Sequence, residues 1–207
     1  MPVDLLPLVD DAVPDLRRSD SPAYPRRRFE FLGRPDPHRI TADDLIAVGL
    51  MGVAVPADVA LDLLEGDLGL DVADSLRHVP VDVPISSPDA AALLGSSSAA
   101  GIAVDLLAEP AGMSWRAAAT LLARKRPLLV PVPDPVVLCA LDWADASWGW
   151  ALAAFADPRL GERLAEVRLA TGLVTTGDLR ALEAIAWMRH HRDHLRTRCP
   201  GLRQRAA

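Results

Sequence analysis

The chain has 207 residues, half of them apolar, and a formal net charge of −6. That length and composition exclude a disordered chain and leave room for one sizeable core. Two cysteines exclude a disulfide framework and a four-cysteine iron–sulfur cluster, and no segment reaches the roughly 20 uncharged residues that a membrane span needs. The opening Met-Pro-Val-Asp has no positive export region, so the expectation is a cytoplasmic protein with no membrane contact. Alanine and leucine dominate, Tyr occurs once and Phe three times, and strand-like alternation is rare, which predicts an all-α fold. Charge is unevenly placed: residues 1 to 110 hold 19 acids against 8 bases, and 111 to 207 hold 9 against 14. A basic second half permits contact with phosphate on one face, and an acidic first half suits a protein partner.

Residues 1 to 39 are rich in Pro, Asp and Arg and read as an extended N-terminal arm packed on the core, with little regular structure beyond a short helix before Asp20. A single helical domain is expected over 40 to 198 and a flexible tail over 199 to 207. Thr41 before Ala42-Asp43-Asp44 caps a helix over about 42 to 52, and Pro56 with Val59, Leu63 and Leu64 starts a second that ends at Gly66. These two are expected to form an antiparallel pair. Gly69, Pro80, Pro84 and Pro88 break the next segment into loop with a short helix near 71 to 78. Ser96-Ser97-Ser98 and Gly101 then interrupt a helical pattern, predicting a bent helix or two shorter ones. Further helices are expected near 115 to 126, 135 to 145, 147 to 156, 159 to 171 and 177 to 197.

One stretch suggests chemistry. Pro110-Ala111-Gly112 makes a tight turn between apolar helices, Ser114 can cap the next helix, and the amides of such a helix start favour a phosphate, with Arg116 adding a charge. Arg124, Lys125 and Arg126 complement the negative far end of the same helix. Asp134 before Pro135 has the form of an N-cap and first helical residue, and equally of a carboxylate held as the anion opposite a developing sugar cation. An ordinary capped corner and a binding site share this pattern.

In order and spacing, Gly112-Met113-Ser114-Trp115-Arg116-Ala117-Ala118 followed by Asp134 resembles the hairpin and aspartate of the helix-hairpin-helix DNA glycosylases, over about 30 of 207 residues. That resemblance implies a helix-hairpin-helix-like corner, duplex DNA as partner through Gly112, Ser114, Trp115 and Arg116, and Asp134 as the catalytic residue for hydrolysis of an N-glycosidic bond after base extrusion. Ser114 stands where the family has a second glycine, Pro133 directly precedes the aspartate, and Arg116 replaces the lysine of lyase-active members, so Schiff-base chemistry is not implied. Phrases such as Ile40-Thr41-Ala42-Asp43-Asp44-Leu45 and Leu121-Leu122-Ala123-Arg124-Lys125-Arg126-Pro127 also resemble a family of uncharacterised actinobacterial proteins, which implies a source and no activity.

His190 and His194 are spaced to share a helix face and could bind a metal if a third ligand approached. Arg189 and Arg192 oppose a cation there, and Cys139 and Cys199 have no metal spacing, so no metal site and no cofactor are expected. The five tryptophans read as core plugs among small residues, with Trp115 the one placed to stack on a base. No phosphate-binding loop, dinucleotide fingerprint or nucleophile elbow is present. Two functional expectations follow: a glycosylase-like DNA-binding module, and a non-catalytic all-α module that binds a protein through its acidic half.

Overall fold

The computed structural model describes residues 4 to 141, 143 and 147 to 194, and every regular element among them is helical. In chain order these are α1 (Leu6–Val9), α2 (Val13–Ser19), a 3-10 turn (Pro25–Arg28), α3 (Ala42–Leu50), α4 (Ala57–Glu65), α5 (Asp67–Arg77) and α6 (Ala90–Leu93). There follow α7 (Ala99–Ala108), α8 (Trp115–Lys125), α9 (Pro135–Ala140), α10 (Gly149–Phe155), α11 (Pro158–Thr171) and α12 (Asp178–His194). They group into two compact units, Pro25–Val132 and Met1–Tyr24 with Pro133–Ala207. The expected single domain over 40 to 198 thus contains the junction of two units, and the expected arm over 1 to 39 is divided between them.

In the Pro25–Val132 unit, α8 is the central element: it packs on α7 and α3, while α5 packs on α7 and α4 on α5. Residues 117 to 125 of α8 are all buried. Ala117, Ala118, Ala119 and Ala123 let neighbouring backbones approach, and Leu121 and Leu122, both fully buried, contribute about 1.5–3 kcal/mol each. Ser114 starts the helix by accepting from the Ala117 amide at 3.1 Å. The other unit is organised around α12, which packs on α9, α2 and α11. Its first half is buried through Leu179, Ala181, Leu182, Ile185 and Ala186, and α11 adds Leu160, Leu164 and Val167. Asp157 caps α11 ahead of Pro158, and Gly172 ends it at φ +78, the left-handed conformation that glycine adopts without strain.

Several expectations change. The first 39 residues hold α1, α2 and the 3-10 turn, so the arm is more regular than its prolines suggested, because Pro7 and Pro14 sit in first turns where no amide is needed. Helix α4 lies on α5, and α3 lies on α8, so α3 and α4 are not the expected pair. The helix expected at 71 to 78 begins at Asp67, because Gly66 ends α4 and starts α5, and Gly69 lies inside the helix. The interrupted pattern at 86 to 107 resolves as two helices, α6 and α7, and the helix expected over 135 to 145 ends at Ala140. The tail at 199 to 207 lies outside the described residues.

Candidate functional site

The corner between α7 and α8 is a turn in which the Met113 amide donates to the Pro110 carbonyl at 3.0 Å. Gly112 takes φ +84, a conformation that side chains rarely adopt. Gly112 and Ser114 are exposed, and Trp115 and Arg116 are half-buried. Arg116 reaches across the unit: its guanidinium donates to the Met51 carbonyl at 3.0 Å and to the Gly52 carbonyl at 3.4 Å. Met51 is the C-cap of α3, so the charge sits at the negative end of that helix. The residue proposed to meet phosphate therefore braces α3, and Ser114 caps α8 as the plain reading required.

At the other end of α8 the basic run turns inward. Arg124, Lys125 and Arg126 are at most 3% exposed and converge on the segment from Phe29 to Asp44. Arg124 Nε donates to Asp44 Oδ1 at 2.9 Å, and its other nitrogens donate to the carbonyls of Phe29 and Leu32. Lys125 Nζ donates to Asp44 Oδ2 and, at 2.9 Å, to the Asp36 carbonyl. Arg126 donates to the carbonyls of Val79 at 2.8 Å, Pro37 at 2.7 Å and Leu76. Asp44, itself 0% exposed, also accepts from the Thr41 amide and hydroxyl at 2.8 and 2.9 Å, closing the capping box of α3. Burial alone would raise the Asp44 carboxyl, but Lys125, Arg124 and the Thr41 amide outweigh it and hold the group below the ordinary 3.8. Burial pushes Lys125 down further than Asp44 lifts it, and takes Arg126 down to about 10.

Asp134 belongs to the other unit, so the corner residues and the aspartate are in different units. It is 2% exposed, and its Oδ1 accepts from the amides of Val136 at 2.8 Å and Val137 at 3.3 Å, the N-cap of α9.

The same unit contains a group that sequence spacing hides. Cys139 on α9 stands beside His190 on α12, with Sγ and Nε2 3.3 Å apart, and His194 one turn further on completes a trio whose ligand atoms all lie within 4.8 Å of one another. The pair of histidines was visible in the sequence, but the third donor, 51 residues away, is supplied only by the packing of α9 on α12. Trp187 stacks on His191 at 4.1 Å and meets Tyr24 at 4.9 Å, so this indole belongs to a packed aromatic cluster.

Residues 12–190 match a family of unknown function, DUF6308, and the chain belongs to that family. No curated protein and no solved structure matches it.

Proposed function

We propose that this DUF6308 protein is a non-catalytic helical module that binds a basic protein segment on the outer surface of α4 and α5. What carries the reading is the disposition of charge around α8. Arg124 and Lys125 are sealed around Asp44, Arg126 is buried against backbone carbonyls, and Arg116 is engaged with the end of α3. The acids of α4 and α5 present their charge outward instead. Residues 40 to 76 contain eight carboxylates and no lysine or arginine. Asp58, Asp62, Glu65, Asp67, Asp71 and Asp74 are all exposed. Among them stand Leu61 and Leu70, 59% and 62% exposed, on faces ringed by these acids at one-turn spacing. An apolar anchor within a rim of one charge fits a partner helix carrying leucine-like and arginine side chains, and repels a polyanion.

Hydrolysis of an N-glycosidic bond is the reading this geometry favours less, since a carboxylate facing an extruded nucleotide must be open to it, and Asp134 is closed over by its own helix start. Fluorescence-anisotropy titration of the full chain with a labelled amphipathic Arg/Leu peptide tests the proposal. Binding is expected to weaken with salt and to fall at least about tenfold in Leu61→Asp and in Leu70→Asp, each a change at an exposed position that leaves the fold intact. Peptide binding that is absent, or that both variants leave unchanged, would refute it.

A further inference from the structure

The trio of Cys139, His190 and His194 belongs to the unit that does not contain α4 and α5, and it has the chemistry of a metal site. His190 and His194 are four residues apart on α12, which stacks their side chains on one helix face, and Cys139 approaches from α9. Zinc held by one thiolate and two imidazoles keeps its donor atoms roughly 3.3–3.6 Å apart. The Cys139 to His190 separation of 3.3 Å already falls in that range, and the remaining separations, 4.8 Å at most, must shorten when an ion binds. The imidazoles of His190 and His194 meet edge to face at 5.7 Å.

Two further observations point the same way. His190 is completely buried, and His194 Nδ1 is buried without a hydrogen bond among the described residues, an orphan polar atom that a metal ion or its bound water satisfies. The arginines that oppose a cation in the sequence are directed elsewhere: Arg189 donates to the Asp15 carboxylate at 2.6 Å and to the Asp10 carbonyl at 2.7 Å, and Arg192 is exposed.

From this geometry we infer that Cys139, His190 and His194 form a zinc site that pins α9 to α12. A soft thiolate with two imidazoles selects zinc over magnesium or calcium, and three protein donors leave a fourth position for water. On binding, the Cys139 thiol releases its proton to solvent and the histidines bind as neutral imidazoles.

The test is titration of the full, chelator-stripped chain with cobalt(II), followed by electronic spectroscopy. One cobalt per chain is expected, with the visible bands of a tetrahedral ion and a thiolate charge-transfer band, all displaced by zinc. Cys139→Ser is expected to lose the charge-transfer band. His194→Ala, at a half-buried position, is expected to weaken binding at least about tenfold. His191→Ala and Cys199→Ser are expected to retain the full spectrum. No thiolate band at equimolar cobalt would overturn the site and leave a thiol–imidazole contact alone. So would a band that survives Cys139→Ser, or binding that His194→Ala does not weaken.

Discussion

Asp44 connects three things that are separate in the sequence: the start of α3, the end of α8 and the irregular segment from Phe29 to Pro37. A buried carboxylate facing two buried cations is costly to assemble, and removing one partner leaves charge without compensation. Asp44→Asn is therefore expected to destabilise the fold by about 3–5 kcal/mol, read as a lowered urea midpoint at unchanged slope. The pH dependence follows from the same group. Because the folded-state carboxyl lies below the ordinary 3.8, the stability it brings is fully present above that value and is lost as the pH falls through the lower folded-state value. Acid unfolding of the natural chain should steepen below pH 3.8, and Asp44→Asn should flatten that limb. Half of this node was legible beforehand: Thr41 followed by Asp44 is a capping pattern. The other half was not, since Arg124 lies 80 residues away and a basic helix end reads equally well as a solvated one.

Helices were legible where a cap and an apolar period agree, as for α3, α8 and α11, and least legible where glycine had two meanings. Gly69 was read as an interruption because glycine lowers helix propensity. In the fold it lies inside α5, where a Cβ would stand 2.3 Å from the Leu63 carbonyl oxygen of α4, so it permits the tight step from one helix into the next. Gly69→Ala should accordingly destabilise by about 1–3 kcal/mol despite alanine's better propensity, as measured by thermal or urea unfolding. A stabilised variant would show that the two helices can move apart freely. Pairing of elements was the other illegible feature. Thr41 and Pro56 mark two helix starts correctly, but nothing local shows that α3 selects α8 and α4 selects α5, since such pairings are decided by apolar faces meeting across long stretches of chain.

For the whole molecule, the formal charge of −4 on residues 25–132 understates how acidic the surface of that unit is, because three of its cations are internal against one carboxylate, Asp44, which leaves −6 outside. Three cations of the basic second half are internal, so charge counted along the sequence is not the charge a face presents. The resemblance to helix-hairpin-helix glycosylases located a turn, a cap and a capped aspartate, all of them present as local geometry, while the roles attached to them depended on exposure that a sequence does not reveal. The most direct measurement offers the chain, at one low ionic strength, a labelled DNA duplex and a labelled arginine-rich peptide of matched charge. Saturable binding of the peptide with none of the duplex is the predicted result; saturable duplex binding that falls with salt and is weakened by Arg116→Ala, without peptide binding, would contradict it.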